Sequence, residues 1–236
     1  MADARQLRDQ DQSPFGFRYR TAREAVAASQ RGRMLDAITK IVAEKGYGAT
    51  TIADVVSRAG VSRRAFYEQF RDVETCLLAA FDAGASFVLS RIEQELAAVD
   101  ATDWRKRAGV LIELYLAILA AEPEFAQVLH VDVLAAGQGA RARWAQALQH
   151  FVALYRALNA IAREEDPAIP HVSDKTFLVL AGGIAELVRE YARTGRLGQL
   201  PELAPMFTAL AVAIVSGAGE AEGATDHTQR TRSAKP

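Results

Sequence analysis

The sequence has few of the residues that disulfide frameworks, metal sites and many active sites require. Its 236 residues include one cysteine and four histidines. The single Cys76 excludes an internal disulfide and any cysteine-rich zinc site, and its apolar neighbours favour a buried residue over a redox sensor. The histidines lack metal-binding spacing, and no glycine-rich phosphate loop is present. We therefore expect no metal, no cofactor and no catalytic residues, so the chain is not predicted to be an enzyme.

Long runs of consecutive apolar residues are also missing. Near the end, the stretch from Phe207 to Val215 is far shorter than the roughly 18 residues that cross a bilayer. The opening residues, Met-Ala-Asp-Ala-Arg-Gln, lack the apolar core of a secretory signal. We therefore expect a cytoplasmic protein without a membrane partner.

Strand-like alternation of apolar and polar residues is absent, whereas apolar residues recur at the three- and four-residue spacing of helices. The pattern predicts an all-α chain. Helices are expected from about residue 26 to Lys45, from Thr51 to Ala59, after Ser62, and from Asp72 to about Val99. Longer helices are expected near 103–121, 123–136, 140–165, 174–194 and 202–216.

Charge is unevenly distributed along the chain. Residues 13–71 hold eleven Lys and Arg against five Asp and Glu, a net charge of +6, although the whole chain carries −1. The other residues therefore carry −7. A basic block of this kind marks a candidate surface for a polyanion, although an ordinary solvated surface shows the same charge.

Residues 50–70, TTIADVVSRAGVSRRAFYEQF, predict two short helices joined by a tight turn at Gly60. Apolar residues of both helices would fix the angle between them, as in a helix-turn-helix that places its second helix in the major groove. Arginine can donate two hydrogen bonds to guanine, and glutamine can bridge adenine. Polar helix starts, such as Ser62, suit phosphate oxygens. The outward positions of the second helix are Arg63, Arg64, Glu68 and Gln69.

This segment resembles the DNA-binding domain of the TetR family of bacterial repressors. The resemblance covers about residues 31–80. It is carried, in order, by Gly46-Tyr47, Thr50-Thr51-Ile52, Ala59-Gly60-Val61-Ser62, Phe66-Tyr67 and Phe70. It implies an N-terminal three-helix DNA-binding domain, a fourth linking helix, and a larger C-terminal helical domain for ligand binding and dimerisation. A plain structural hairpin is the alternative.

The resemblance also implies roles for individual residues. Either threonine at the start of the second helix, and Tyr67, would contact phosphate. The residues facing bases would be Arg63, Arg64 and Ala65. The family often has a small residue at the position of Arg64. It usually has a lysine at the position of Val73, where the lysine contacts the DNA backbone, and Arg71 is the candidate to replace that contact. The predicted DNA-binding residues are Thr50, Thr51, Ser62, Arg63, Arg64, Ala65, Tyr67, Gln69 and Arg71.

Polar residues within the apolar C-terminal helices, together with aromatic ones, predict a ligand pocket. Glu113 and His130 would anchor the ligand and the aromatic side chains would form its walls, although ordinary core packing uses the same residues. The candidates are Glu113, Tyr115, Phe125, His130, Trp144, Phe151 and Tyr155. Gly182-Gly183 weakens its helix, and close approach of another helix is a physical reason for it. The resemblance implies that the last two long helices form a homodimer interface.

The predicted organisation has four parts. Residues 1–25 form a mobile arm whose arginines either reach DNA or stay solvated. Residues 26–72 form the helix-turn-helix domain, 73–216 the ligand-binding and dimerisation domain, and 217–236 a disordered tail.

The predicted function is that of a DNA-binding transcriptional regulator, most simply a repressor that a small apolar or amphipathic effector releases from a palindromic operator. An activator or architectural DNA-binding protein of the same fold is one alternative. A small-molecule carrier with a vestigial DNA-binding domain is another, against which the solvent-facing Arg63, Arg64 and Gln69 argue.

Overall fold

The protein, described over residues 30–218 in a computed structural model, consists of α-helices and short 3-10 helices, with no strand in that range. This confirms the predicted all-α fold. The predicted arm lies outside the described residues, as does the predicted tail apart from residues 217 and 218. The helices are α1 Gln30–Lys45, α2 Ile52–Ala59, α3 Arg63–Gln69, α4 Val73–Leu96, α5 Trp104–Ala121, α6 Pro123–His130, α7 Gln138–Glu165, α8 Asp174–Arg193 and α9 Ala204–Val215. The 3-10 helices are Tyr47–Ala49, Asp132–Ala135 and Leu197–Leu203.

Two units share α4, because the first unit ends at Ala80 and the second begins at Phe81. The predicted domain boundary after residue 72 lies at the start of the same helix and stays a prediction. In the first unit, α1 packs against α2 and α3. Its core consists of fully buried apolar side chains, among them Met34, Ile38, Val55, Phe66 and Leu77.

Cys76 belongs to this core. Its Sγ lies 4.0 Å from the backbone oxygen of Met34. Burial raises the pKa of the Cys76 thiol to about 12. Since the thiolate is the reactive form, this thiol has the properties of a small apolar core residue rather than of a redox sensor.

In the second unit, α5 is buried around most of its circumference and packs against α7, α9 and the 3-10 helix Leu197–Leu203. The buried Asn159 of α7 ties this core together. Its Nδ2 donates to the backbone oxygens of Val215 (2.8 Å) and Pro170 (3.2 Å). Its Oδ1 accepts from the backbone N–H of Val172 at 3.3 Å. One side chain thus joins α7, the loop before α8 and the end of α9.

The prediction of one helix over residues 123–136 is wrong in its second half. The α-helix ends at His130, and a separate 3-10 helix follows over Asp132–Ala135. The backbone leaves regular helical geometry at Val131 (φ −115°, ψ −64°). Gly137 then adopts φ 100°, a region that favours glycine, and the chain turns into α7.

Two segments, Val73–Leu96 and Leu197–Val215, are long and apolar enough to cross a membrane by length and composition alone. The sequence-based search for consecutive apolar residues did not find them. Such composition is weak support for a membrane span, because helices of water-soluble proteins can also be apolar over much of their surface.

Candidate functional site

Two caps and one glycine set the geometry of the turn between α2 and α3. At the start of α2, the Thr51 hydroxyl accepts from the Asp54 N–H (3.3 Å), and the Asp54 carboxylate accepts from the Thr51 N–H (2.8 Å). Gly60 ends α2 in the left-handed region at φ 62° and ψ 42°. Ser62 then caps α3 by accepting from the Ala65 N–H at 3.1 Å.

Aromatic packing decides which face of α3 is exposed. Phe66 is fully buried and its ring centroid lies 5.7 Å from that of Phe70. Tyr67, the next residue, is 56% exposed. Because Phe66 fixes the inner face, the outer face of α3 presents polar and cationic groups to solvent. The exposed side chains of this helix are Arg63, Arg64, Tyr67, Glu68 and Gln69.

The two arginines of α3 differ in their partners. Among residues 30–218, Arg63 makes no ion pair, whereas the Arg64 Nε donates to the Glu68 carboxylate at 3.0 Å. An exposed pair of this kind, four residues apart on a helix, contributes only about 0.3–0.5 kcal/mol. Both guanidinium groups are therefore available to a polyanion, Arg63 directly and Arg64 after giving up a weak contact.

Other cations of the basic block already have carboxylate partners. Lys45 donates to Asp54 at 2.7 Å, and Arg58 donates to both oxygens of Glu44 at 2.7 Å each. The Lys45 hydrogen bond, followed by those from Thr51, lowers the pKa of Asp54 to about 2. These pairs join α1 to α2, so part of the block's positive charge stabilises the domain's own structure.

A cavity of about 30 Å³ lies in the second unit between α4, α5, α6 and α7. Its surface is almost entirely apolar, and Tyr115 and Trp144 are the lining residues whose side chains carry a polar group. Its lining residues are Ala85, Val88, Leu89, Tyr115, Leu129, Trp144, Ala147, Leu148 and Phe151.

The buried His130 contacts two of the cavity's aromatic walls. Its Nε2 lies 3.0 Å from the Tyr115 hydroxyl oxygen, and its ring lies edge-on to Trp144, 5.0 Å between centroids. Burial, together with repulsion from the Arg189 guanidinium, lowers the pKa of His130 to about 3, although a hydrogen bond to the Ala185 backbone opposes the shift. The imidazole is therefore neutral at physiological pH.

Arg189 of α8 holds this region from the other side. Its Nε donates to the backbone oxygen of His130 at 2.7 Å, and its guanidinium lies 5.9 Å from the Trp144 ring centroid. It also forms an ion pair with Glu186. The end of α6 is thus fixed to α8 by a charge-assisted hydrogen bond.

Residues 34–80 match the family model described as bacterial regulatory proteins of the tetR family. The chain therefore contains a segment that matches the TetR family. It is also 32% identical over 71 residues to the uncharacterized HTH-type transcriptional regulator YerO of Bacillus subtilis, over 29% of this chain and 25% of that protein. The chain therefore spans about a quarter of the length of this curated relative. Both the family model and this relative are described as regulatory proteins.

Solved structures of TetR-family and related regulators share the fold. The fatty acid degradation regulator FadR of Bacillus halodurans has a TM-score of 0.69 at 17% identity, with 77% of this chain and 94% of that chain covered. FadR of Bacillus subtilis, in complex with stearoyl-CoA, has a TM-score of 0.69 at 16% identity and coverages of 77% and 97%. A tetR-family regulator from Rhodococcus RHA1 has a TM-score of 0.62 at 21% identity, with 79% of this chain and 97% of that chain covered.

The residues predicted to bind DNA in this TetR-family domain do not all reach its surface. Thr50 is only 8% exposed, and its hydroxyl donates to the Gly46 backbone oxygen at 2.8 Å. The Thr50 hydroxyl is therefore engaged inside the domain. Thr51 is exposed, but its hydroxyl also donates within the domain, to Asp54 Oδ2 at 2.6 Å. Ala65 is half-buried, and the exposed Arg71 donates to Asp72 at 2.8 Å. Ser62 is exposed but acts as the helix cap.

Three residues predicted to line the ligand pocket lie elsewhere. Glu113 is exposed, because α5 buries the residues on either side of it and turns this one to solvent. Tyr155 is buried against Phe177, with ring centroids 6.2 Å apart. The ring of Phe125 covers Gly84, where an added Cβ would lie 2.0 Å from it. The prediction that these three side chains line a pocket is not met by this cavity.

Sequence reasoning also missed several of the lining residues, chiefly those of α4. Ala85, Val88 and Leu89 contribute one wall at the spacing of an apolar helix face, which is the signal that could have found them. Tyr115, Trp144 and Phe151 line the cavity as expected from their aromatic character, and His130 supports Tyr115 from behind. Their role in ligand binding stays a prediction.

Proposed function

We propose that this chain is a ligand-responsive transcriptional regulator that binds a palindromic operator as a homodimer through α3 and is released from it by a small effector. The observation that carries the proposal is the exposed face of α3. Arg63, Arg64 and Gln69 are displayed together there on a helix whose start, turn and inner face are fixed by caps and by Phe66. Such side chains can read base edges in the major groove.

Exposed apolar residues on α8 and α9 support the homodimer. Val179 of α8 is 73% exposed, and Met206 and Leu210 of α9 are also exposed. Gly182 and Gly183 lie three and four residues after Val179, on the same face, and a Cβ built at either glycine meets nothing within 4 Å. A second copy that packed here would bury these side chains, and the glycines would allow close approach of its helix.

The cavity supports ligand control of DNA binding. Its α4 wall, from Ala85 to Leu89, is part of one helix that begins at Val73 and continues through the boundary between the units. FadR of Bacillus subtilis, a protein of similar fold, is in complex with stearoyl-CoA. An effector that binds one position of α4 better than another would shift the population of DNA-binding dimers, by no more than that difference in affinity.

The test is a selection from random double-stranded oligonucleotides with the full chain. We expect enrichment of an inverted repeat whose half-sites lie about one helical turn, or a multiple of it, apart. Binding to the selected site should weaken with rising salt concentration, because phosphate contacts release counterions. Enrichment of no sequence would contradict the proposal and favour a carrier with a vestigial DNA-binding domain.

A further inference from the structure

The cavity of the second unit contains no charged side chain in its wall. The ionisable residues nearest to it lie outside the lining and pair with other groups, although the Arg189 guanidinium lies 5.9 Å from the Trp144 ring centroid. Asp82 of α4 pairs with Arg143 of α7 at 2.9 Å, and both are partly exposed. Arg189 pairs with Glu186 and with the His130 backbone, and Glu113 faces solvent. A ligand that entered between Trp144 and Phe151 would therefore meet no counter-ion among the lining residues.

Two lining side chains carry a polar group, the Tyr115 hydroxyl and the Trp144 indole N–H, and both groups are electrically neutral. The Tyr115 hydroxyl lies 3.0 Å from the His130 Nε2. Burial raises the pKa of Tyr115 and lowers that of His130, so neither side chain ionises near neutral pH. The Tyr115 oxygen can accept a hydrogen bond from a ligand while its own proton bonds to Nε2, and its hydroxyl can donate to a ligand in the imidazole tautomer that carries a proton on Nε2. In neither tautomer can the pair balance a ligand's charge.

We infer, on the basis of the proposed function, that the effector is an uncharged and mainly apolar molecule with at most one hydroxyl or carbonyl group, which Tyr115 recognises. Taking an isolated carboxylate or ammonium out of water is far more costly than taking out a neutral group. With no counter-ion in the wall, a charged ligand would lose its favourable hydration free energy without compensation, whereas an apolar ligand has no such hydration to lose.

The packing of the walls indicates a flat, compact ligand. The Tyr115 and Phe151 rings meet edge to face, with centroids 4.9 Å apart, and the small side chains of Ala85 and Ala147 lie on opposite helices. A volume of about 30 Å³ is well below the roughly 300 Å³ of typical ligand pockets. The ligand must therefore open the cavity by displacing side chains, and edge-to-face contacts suit an aromatic ring in place of one of them.

The first experiment compares toluene, para-cresol and para-toluate, three probes of similar shape, by calorimetric titration of the full chain at neutral pH. We expect toluene and para-cresol to bind, and the anionic para-toluate to bind at least tenfold more weakly than para-cresol. Equal or tighter binding of para-toluate would overturn the inference, and so would the absence of binding by all three.

The second experiment tests the role of Tyr115. We expect Tyr115→Phe to weaken para-cresol binding about three- to tenfold, the usual range for one neutral hydrogen bond, and to leave toluene unchanged. Tyr155→Phe is the matched control, because it removes another buried hydroxyl outside the cavity. Equal losses for both probes, or the same loss in the control, would overturn the role of Tyr115. Binding of the selected operator by the same preparations shows separately whether the proposed function holds.

Discussion

The two units of the chain use polar side chains in opposite ways. In the first unit, Ser62 caps a helix, and Arg63 and Glu68 stand on the surface. In the second unit, His130 and Asn159 are buried, with bonds from His130 to the Tyr115 hydroxyl and from Asn159 to backbone groups. The residues proposed to contact DNA can therefore be changed at little cost in stability, whereas changes to the buried groups of the second unit alter the free energy of unfolding as well as binding.

The largest expected effect comes from Asn159. Asn159→Leu leaves three backbone groups without their side-chain partner, and we expect it to lower the free energy of unfolding by about 2–5 kcal/mol. Denaturant titration measures this. Gln149→Leu, at an exposed position of the same helix, is the control and should change stability by less than about 0.5 kcal/mol. Similar values for both would show that the buried hydrogen bonds contribute little.

His130 should make the second unit sensitive to acid. Its folded pKa of about 3 lies below the ordinary 6.5, so the unfolded chain binds a proton that the folded chain excludes as the pH falls below 6.5. Stability should therefore decrease from pH 6.5 toward 4, with a slope of up to about 1.4 kcal/mol per pH unit from this residue.

Replacing His130 separates its titration from that of the carboxylates. Denaturant titrations across this range should give a smaller slope for His130→Gln than for the unchanged chain. The Asp54 carboxylate, whose pKa is lowered from 3.8 to about 2, adds to the slope only near the acid end of this range, and it adds equally in both chains. An unchanged slope in His130→Gln would contradict the buried, neutral imidazole.

The proposed dimer interface predicts a change of assembly with little change of fold. Val179→Glu would place a charge on the exposed face of α8 between two apolar surfaces, and we expect it to weaken dimerisation at least tenfold, or about 1.4 kcal/mol. Sedimentation equilibrium measures the dissociation constant. Ala145→Glu, at an exposed position of α7, should leave it unchanged. An unchanged dissociation constant for Val179→Glu would show that this face of α8 is not the dimer interface.

The smallest expected effect is at Glu68. Glu68→Gln removes the partner of Arg64 and should lower stability by no more than about 0.5 kcal/mol, since the pair is exposed. The same change removes a negative charge from the exposed face of α3, so we expect tighter DNA binding at low salt. Circular dichroism melting and a binding titration check the two effects, and a large loss of stability would contradict the comparison between the units.

How well the sequence predicted each region depends on how local its determinants are. The turn between α2 and α3 was predictable because Thr51, Gly60 and Ser62 act on residues within four positions of themselves. The cavity was only half predictable, because its walls come from four helices far apart in sequence. The sequence could not show that Glu113 points outward, since α5 is apolar on nearly all sides, nor that Arg189 would bond to the His130 backbone 59 residues away.

The most direct test of the central claim, that α3 reads DNA, is the binding of Arg63→Ala to the selected operator and to its single-base variants. We expect Arg63→Ala to lose about 1–3 kcal/mol of binding free energy on the operator and to relax discrimination at one base step only. Arg163→Ala, which removes an exposed arginine of α7, should bind like the unchanged chain. Full affinity and unaltered base discrimination in Arg63→Ala would contradict the claim that α3 reads DNA through Arg63.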